Sequence, residues 1–364
     1  MRVAIGFFLG THEDWGGASR ALLNFVRQID RTRFRPIVLV TKRGPLVERL
    51  QSEGIEWLVW PTHDRGPNFV RYGADIWRAA GFFRTHALQI LHINHGTIGW
   101  KPAEILAARI LRIPIINHLH VAFEQPSSFI RYSSIVVAVS QYVADHSESL
   151  GVPKRVIHNI SDLERFSAGV SLRGELGYAD SDVIVAFLGQ MIRVKGLEMF
   201  IDVATRIADP RAKFVVAGPM RKTQGAYTED EIRGLVARDP RIRYLGYRTD
   251  VENLYATSDL IVMPSQWEEP CAMVLFEAAA AGKPVVATVT GGTAEILRDG
   301  ETGYLVERHD LEGMTARVAR LIQDDALRNR LGQAASQLAR RSLAVEPVRQ
   351  LEDLYASLTG ADAA

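Results

Sequence analysis

The chain has 364 residues, of which 47% are hydrophobic and 23% are charged, and its formal net charge is +1. This length suits two domains better than one core, and the small net charge gives no indication of nucleic acid or of a strongly acidic partner. The single cysteine, Cys271, excludes an internal disulfide framework and fits a reducing cytoplasm.

Short apolar runs alternate with helical segments in two successive sets. The first set is VAIGFF, PIVLV, EWLVW, ILHIN, PIINHLH, SIVVAVS and RVIHN, and the second is VIVAFLG, KFVVAG, RYLG, LIVMPS, PVVATV and GYLV. Because strands that alternate with helices form parallel sheets, each set predicts a doubly wound, Rossmann-like α/β domain. A polar, glycine-containing segment at residues 162–177 puts the break near residue 165. Ligands bind at the carboxyl ends of such strands, so we expect a cleft that both domains face.

The N-terminus and the lengths of the apolar stretches bear on where the protein is located. Polar side chains interrupt the first residues too early for a signal peptide, and no apolar stretch approaches the ~20 residues of a transmembrane helix. We therefore expect a cytoplasmic protein that is soluble or lies on a membrane surface.

A pair of glycines follows the first strand. Gly16 and Gly17 precede the helical run ALLNFVRQI. Glycines at such a turn let the phosphate or sugar of a ligand approach closely, although a structural turn explains them equally well.

Residues 68–88 place arginines among aromatic side chains. One interpretation is a helix in peripheral contact with the inner face of a membrane, because cations and aromatic rings suit the headgroup level. The other interpretation, which we favour, is an amphipathic domain helix whose basic face is solvated.

Four histidines stand at the ends of apolar runs: His92, His95, His118 and His120. A spacing of two puts His118 and His120 on one face of a strand, as a metal site would require. No third group of ligands accompanies them, and two histidines alone make a poor metal site. We predict no metal.

In the second half of the chain, a strand that ends in glycine leads to a loop with Arg193 and Lys195. Two cations at the carboxyl end of a strand would neutralise a leaving diphosphate, although solvated basic loops are common. Gly218 ends the next strand, where a nucleotide would lie. Asp180 and Asp182 form a possible metal–diphosphate clamp, but they precede a strand, at the end opposite the ligand. We interpret them as a polar turn.

The most informative stretch is residues 264–300, PSQWEEPCAMVLFEAAAAGKPVVATVTGGTAEILRDG. Residues 271–281 lack glycine and proline and are rich in good helix formers, so they predict a helix that Gly282 ends. The free amides at the start of this helix lie beside the end of a strand and suit a diphosphate. They belong to Ala272, Met273 and Val274.

Two carboxylates in this stretch, Glu269 and Glu277, have seven residues between them. Ionised carboxylates only accept hydrogen bonds, as sugar hydroxyls would offer. This Glu-x7-Glu pair, followed by EAAAAGKPVVAT, GG, AEI and DGETGYLV, resembles the donor-site signature of the family 4 glycosyltransferases, which have the GT-B fold. We take the resemblance to cover essentially the whole chain.

The resemblance implies four catalytic residues. His120 ends a strand of the form Pro-x5-His and would contact the donor sugar. Lys195 would bind the diphosphate, together with Arg193, which matches the family pattern less closely. Glu269 would hold the hydroxyls of the sugar.

The resemblance also implies a donor site and a domain plan. Glu277 would hold the ribose, and the segment with Tyr247 and Arg248 would hold the base through main-chain groups. The amides that start the 271–281 helix, Gly218, and the glycine loop with Gly16 and Gly17 would complete the site. The acceptor-side domain would span residues 1–165 and the donor domain 166–344, with a last helix at 345–364 that packs back onto the first domain.

The implied activity is retaining transfer of a hexosyl unit from a nucleotide diphosphate sugar, with no metal and no cofactor. The acceptor would be a glycan, a lipid-linked or a small-molecule hydroxyl, in polysaccharide or glycolipid assembly. Fold does not fix function, so a nucleotide-sugar epimerase or hydrolase on the same fold is one alternative. A non-catalytic protein that binds sugar nucleotides is the other.

Overall fold

The structure, a computed structural model, describes residues 2–9, 17–60, 68–94 and 100–360. It contains two compact units, which are residues 1–160 with 346–364 and residues 161–345. Within the described residues, no helix is both long enough and apolar enough to cross a membrane.

The first unit is built on a seven-stranded parallel sheet with the strand order β3-β2-β1-β4-β5-β6-β7. Its core strands are buried on both faces, which explains why they read as continuous apolar runs. The strands are β1 (Val3–Phe8), β2 (Phe34–Val40), β3 (Glu56–Val59), β4 (Ile90–Asn94), β5 (Ile115–Leu119), β6 (Ile135–Ala138) and β7 (Lys154–Val156).

Helices cover both faces of this sheet. One apolar cluster joins the sheet to α1, α2 and α14, and a second joins the opposite face to α3 and α4. The helices of this unit are α1 (Gly17–Gln28), α2 (Pro45–Ser52), α3 (Phe69–Thr85), α4 (Ala103–Ile110), α5 (Gln141–Asp145) and, from the end of the chain, α14 (Glu346–Thr359).

The second unit repeats the plan with a six-stranded parallel sheet in the order β10-β9-β8-β11-β12-β13. Its strands are β8 (Val183–Leu188), β9 (Ala212–Ala217), β10 (Ile242–Tyr244), β11 (Leu260–Met263), β12 (Val285–Thr288) and β13 (Gly303–Val306). Its helices are α6 (Leu163–Ser167), α7 (Leu197–Arg206), α8 (Glu229–Val236), α9 (Val251–Thr257), α10 (Met273–Ala280), α11 (Thr293–Ile296), α12 (Leu311–Gln323) and α13 (Asp325–Leu338).

The strand order identifies the edge at which each unit can bind a ligand. The connections run in opposite directions from β1 and β4 in the first unit, and from β8 and β11 in the second. Open parallel sheets bind ligands outside the carboxyl ends of the strands at this reversal. Both predicted sets of apolar runs are confirmed as strands, and the chain folds into two parallel-sheet α/β domains.

Helix α3 is the amphipathic helix predicted within residues 68–88. Asn68 caps it by accepting a hydrogen bond from the main-chain N–H of Arg71. Its buried side packs on the sheet, whereas Phe69 and Trp77 are 64% and 62% exposed. Membrane contact of this exposed side stays a prediction.

Candidate functional site

A partly buried ion pair lies at the reversal of the second sheet. Lys195 follows β8 on a short 3-10 turn, and Glu269 follows β11. The Lys195 ammonium donates to both carboxylate oxygens of Glu269, at 2.6 Å and 2.9 Å. Glu269 is only 3% exposed, and the Ser265 hydroxyl donates to its Oε1 at 2.7 Å. The structure therefore brings two of the predicted catalytic residues together, 74 positions apart in the chain.

Tight backbone contacts hold the loop after β8 against the segment after β11. The main-chain N–H of Gln266 donates to the carbonyl of Val194 at 2.7 Å. Gly196 has a φ of +79°, and a Cβ there would lie 1.9 Å from the carbonyl oxygen of Pro264. Only glycine fits at this position, which explains why glycine follows Lys195.

Helix α10 starts two residues later than predicted. Residues 271–281 were expected to be helical, but the helix spans Met273–Ala280, and Ala272 is its N-cap. No side chain caps this end, so the amides of Met273 and Val274 in the first turn keep the free donors that a helix start leaves. Gly282, with a φ of +67°, is confirmed as the residue that ends the helix.

Glu277 lies within α10 and is 8% exposed. The hydroxyl of Tyr255, on α9, donates to its Oε2 at 2.8 Å. This contact fixes the direction of the carboxylate that we predict to hold the ribose. Tyr255 is fully buried, so it acts as an internal support and not as a surface group.

The structure pairs Arg193 with groups other than Lys195 and Glu269. Its guanidinium donates to Glu198 at 3.0 Å and to Glu231 at 2.5 Å, and it lies over the ring of Tyr227. The hydrogen bond to Glu231 raises the pKa of Arg193, so the charge is fixed. The predicted role of Arg193 at a diphosphate would require these ion pairs to open.

The predicted base-side residues lie at the ends of β9 and β10. Gly218 has a φ of +154°, and a Cβ there would lie 1.7 Å from the carbonyl oxygen of Gly189, which excludes any larger residue. Tyr247 is 53% exposed. Arg248 is held by Asp250 in two hydrogen bonds of 2.8 Å, which lower the pKa of Asp250 to about 2. Its side chain is thus already paired, and binding of a base by this segment stays a prediction.

His120 lies in the first unit, directly after β5. Its ring stacks on His118 with the ring centres 4.4 Å apart. His118 Nδ1 is 3.0 Å from Nε2 of His92, whose Nδ1 is 2.7 Å from the hydroxyl of Tyr355 on α14. Gly17 is the exposed first residue of α1, whereas Gly16 and His95 lie outside the described residues.

His92, His118 and His120 are neutral in the folded first unit. Burial lowers the pKa of His92 to about 3, that of His120 to about 4, and that of His118 well below its ordinary value. In the unfolded chain they take up protons below about pH 6.5. Their contribution to stability is therefore complete above pH 6.5 and is lost as the pH falls toward 4, by up to about 1.4 kcal/mol per pH unit for each group.

We expect the first unit to lose stability selectively between pH 7.5 and pH 5.0. Urea titrations with pulsed hydrogen exchange can follow peptides from β4 and β11 separately. The urea midpoint of the β4 peptide should fall more than that of the β11 peptide, because the only histidine of the second unit, His309, is exposed. Equal shifts of the two midpoints would show that the buried histidines are not the cause.

Two further predictions concern metals. Among the described residues, no three His, Cys, Asp or Glu side chains form a group that could hold a metal ion. Residues 179–182 form a turn before β8, closed by a hydrogen bond from the N–H of Asp182 to the carbonyl of Ala179. Asp180 and Asp182 lie in the predicted polar turn, and the absence of a metal from the protein stays a prediction.

Sequence reasoning missed several residues that support the site. Ser265 and Tyr255 orient the two carboxylates, and Glu268 accepts a hydrogen bond from the N–H of Gly291 at 2.6 Å while it pairs with Arg308 at 2.9 Å. Glu268 directly precedes Glu269 in the signature stretch, so the sequence already showed a carboxylate at this position. The partners of all these residues come from other elements and left no local signal.

Both halves of the chain match family models of glycosyltransferases. A model described as "Glycosyltransferase Family 4" matches residues 15–165, and one described as "Glycosyl transferases group 1" matches residues 171–338. The chain is 28% identical, over 74% of both proteins, to N-acetyl-alpha-D-glucosaminyl L-malate synthase of Bacillus anthracis. It is also 28% identical to D-inositol 3-phosphate glycosyltransferase of Corynebacterium efficiens, over 73% of this chain and 70% of that protein.

Solved structures give the same fold. A glycosyltransferase of Rickettsia africae has a TM-score of 0.85 at 19% identity, with 98% of each chain covered. Anabaena HepE in complex with UDP has a TM-score of 0.80 at 21% identity, over 98% of this chain and 100% of that one. With each domain matched by a glycosyltransferase model and the fold shared with glycosyltransferase structures, the chain belongs to the family 4 glycosyltransferases, which have the GT-B fold.

Proposed function

We propose that the protein is a retaining glycosyltransferase that moves a hexosyl unit from a nucleotide diphosphate sugar to an acceptor hydroxyl, without a metal ion or cofactor. The observation that carries this proposal is the Lys195–Glu269 pair at the reversal of the second sheet, beside the uncapped start of α10. Together these groups offer a cation, free amides and a carboxylate within one edge of the sheet. A sugar diphosphate needs this combination.

The geometry suggests how each group would act. When the bond between the anomeric carbon and the phosphate oxygen breaks, negative charge develops on the diphosphate. The ammonium of Lys195 and the amides of Met273 and Val274 would stabilise that charge. Lys195 would exchange its bonds to Glu269 for bonds to phosphate, and the released carboxylate could then accept hydrogen bonds from the sugar.

Transfer with retention can proceed without a protein nucleophile. The leaving phosphate oxygen would take the proton of the acceptor hydroxyl on the face where the new bond forms, so the products are the glycoside and a protonated diphosphate. Glu277, oriented by Tyr255, would hold the ribose. Arg193 would add a second cation only after its bonds to Glu198 and Glu231 open.

The comparisons support a uridine nucleotide as the first candidate donor. HepE structures contain UDP and UDP-glucose, which are ligands of that protein. The two curated relatives carry names with different acceptors, malate and inositol phosphate. For this chain we propose a glycan, lipid-linked or small-molecule hydroxyl as the acceptor, in polysaccharide or glycolipid assembly.

Thermal unfolding with added nucleotides tests the donor site. Wild type and Lys195→Ala would each be heated with UDP, GDP, ADP and their common sugar conjugates. A ligand at about 100 times its dissociation constant stabilises the folded state by about 2.7 kcal/mol. We expect one nucleotide to raise the melting temperature of wild type, and the shift to be largely lost in Lys195→Ala.

The remaining alternatives give different results. Stabilisation by no nucleotide would contradict the donor site. Stabilisation with no turnover across a broad panel of acceptors would favour a binding protein. Conversion of the nucleotide sugar without consumption of any acceptor would favour an epimerase or a hydrolase.

A further inference from the structure

The indole ring of Trp267 lies beside the Lys195–Glu269 ion pair. The ammonium nitrogen of Lys195 is over this ring, 5.0 Å from the ring centre. A cation within about 6 Å of an aromatic ring is attracted by the negative charge of the ring face, and tryptophan gives the strongest attraction. Trp267 is also the only tryptophan in residues 161–345 of the sequence. The ring therefore attracts the same charge that would stabilise a leaving diphosphate.

Hydrogen bonds on both sides of Trp267 hold its main chain in place. Before it, the main-chain N–H of Gln266 donates to the carbonyl of Val194 at 2.7 Å. After it, the carboxylate of Glu268 accepts from the main-chain N–H of Gly291 at 2.6 Å. The first of these bonds reaches the residue that directly precedes the lysine. The ring and the ammonium are thus attached to two segments that are bonded to each other.

The N–H of this indole ring has no hydrogen bond. Trp267 Nε1 is buried and has no partner among the described residues. In the first unit, by contrast, Trp60 donates its Nε1–H to the carboxylate of Glu104 at 2.7 Å, as buried tryptophans usually do. A buried donor without a partner destabilises the folded state. A hydrogen bond therefore does not explain why tryptophan occupies residue 267, whereas the contact of its ring with Lys195 does.

We propose that Trp267 is a positioning residue of the donor site: its ring keeps the Lys195 ammonium in place while this ammonium exchanges Glu269 for the phosphate of a nucleoside diphosphate. In the structure, the ammonium is held by two hydrogen bonds to Glu269, at 2.6 Å and 2.9 Å. Both bonds must open when the ammonium turns to phosphate. The ring attracts the charge and not one particular N–H, so its attraction persists while the hydrogen-bond partners change. The inference rests on the proposed function, which supplies the diphosphate.

The contact can be tested in the free protein. Full-length protein labelled with 5-fluorotryptophan should give six 19F signals, one for each tryptophan. Trp267→Phe assigns the signal of residue 267. Lys195→Met should shift this signal and leave the other five in place, because all of them belong to residues 1–160. An unchanged Trp267 signal in Lys195→Met would overturn the proposal.

A double-mutant cycle measures the strength of the contact, again without substrate. Urea titrations that follow the second unit give the unfolding constants of wild type, Lys195→Met, Trp267→Leu and the double variant. The lost contact should couple the two substitutions by about twofold to thirtyfold in the unfolding constant, the range of cation–π contacts from exposed to desolvated sites. If the two effects simply multiply, the ring only fills space and the proposal fails.

Nucleotide affinity tests the positioning role. Calorimetry would use UDP, GDP and ADP with wild type and each variant. For the nucleotide that wild type binds most tightly, Trp267→Leu should weaken binding about twofold to thirtyfold, and Trp267→Phe should lose less because it keeps a ring face. Tyr178→Leu is the matched control. It removes a ring that lies 5.5 Å from the guanidinium of Arg243, at a residue before β8 and so at the opposite end of the strands, and should bind as wild type does.

The outcomes separate this inference from the proposed function. If a nucleotide binds wild type and Trp267→Leu equally tightly, the inference fails while the proposed function stands. If Trp267→Phe is no better than Trp267→Leu, the ring face does not position the ammonium and the inference also fails. If no nucleotide binds wild type, the proposed function fails and the positioning role fails with it, even where the cycle shows that the ring and the ammonium interact.

Discussion

Replacement of Lys195 by methionine, or of Glu269 by glutamine, should lower turnover at least tenfold. Removal of one preorganised hydrogen-bond donor at a developing oxyanion costs about 10²–10³ in kcat. The ammonium of Lys195 pairs with the buried carboxylate of Glu269, at the end of the sheet where α10 begins. Each substitution removes one charge and keeps most of the side-chain volume.

The two single variants should differ in stability. Without Lys195, the Glu269 carboxylate stays buried with Ser265 as its remaining donor among the groups described above, and breaking a buried pair in this way costs about 3–5 kcal/mol. Without the charge of Glu269, the loss should be smaller, because the Lys195 side chain is 22% exposed and can reach water. Urea titrations that follow the second unit measure both values.

The double variant decides between a structural and a catalytic role. Removing both charges restores a balanced site, so the K195M/E269Q protein should regain most of the stability of wild type but none of the turnover. A matched control is the Arg173–Asp259 pair. Its side chains are 21% and 24% exposed, and it lies at the amino ends of β8 and β11 in the same sheet. Neutralising that pair should change stability alone. Wild-type turnover in the double variant would show that the Lys195–Glu269 pair is only structural.

The strands were predictable because their environment is simple. A parallel strand covered on both faces must be apolar throughout, and the runs from Val3–Phe8 to Gly303–Val306 show this directly in the sequence. The start of α10 was not predictable to the residue, because its N-cap is Ala272 and no Ser, Thr, Asp or Asn marks the position. The end of the helix was predictable, because Gly282 has the left-handed conformation that glycine favours.

The site was only partly predictable, because its contacts join distant parts of the chain. Glu269 and Lys195 were found by their family motifs, but their direct contact depends on β8 and β11 being neighbours in the sheet. The contact between Tyr355 and His92 spans 263 positions and depends on α14 belonging to the first unit. Local patterns contain no information about such pairs, so Tyr355 was not identified from sequence.

Replacement of Gly291 by alanine should lower turnover about a hundredfold, although residue 291 contacts no substrate in the proposed mechanism. Gly291 has a φ of +45°, and a Cβ there would lie 2.2 Å from the carbonyl oxygen of Glu269. The next residue, Gly292, donates its N–H to the same oxygen at 2.8 Å. The added methyl group must therefore push the Glu269 backbone away, and a displacement of about 1 Å in a catalytic group can cost about 10²-fold in rate.

Gly300→Ala separates this displacement from simple backbone strain. Gly300 also has a left-handed φ, +71°, but a Cβ there would meet nothing within 4 Å. Alanine at residue 300 should cost only the ~1–2 kcal/mol of a left-handed L-residue and leave turnover nearly unchanged. If Gly291→Ala and Gly300→Ala lose the same stability and both keep their turnover, then the position of the Glu269 main chain does not control the reaction. If only Gly291→Ala loses turnover, the glycine pair acts by holding the main chain of Glu269 in place.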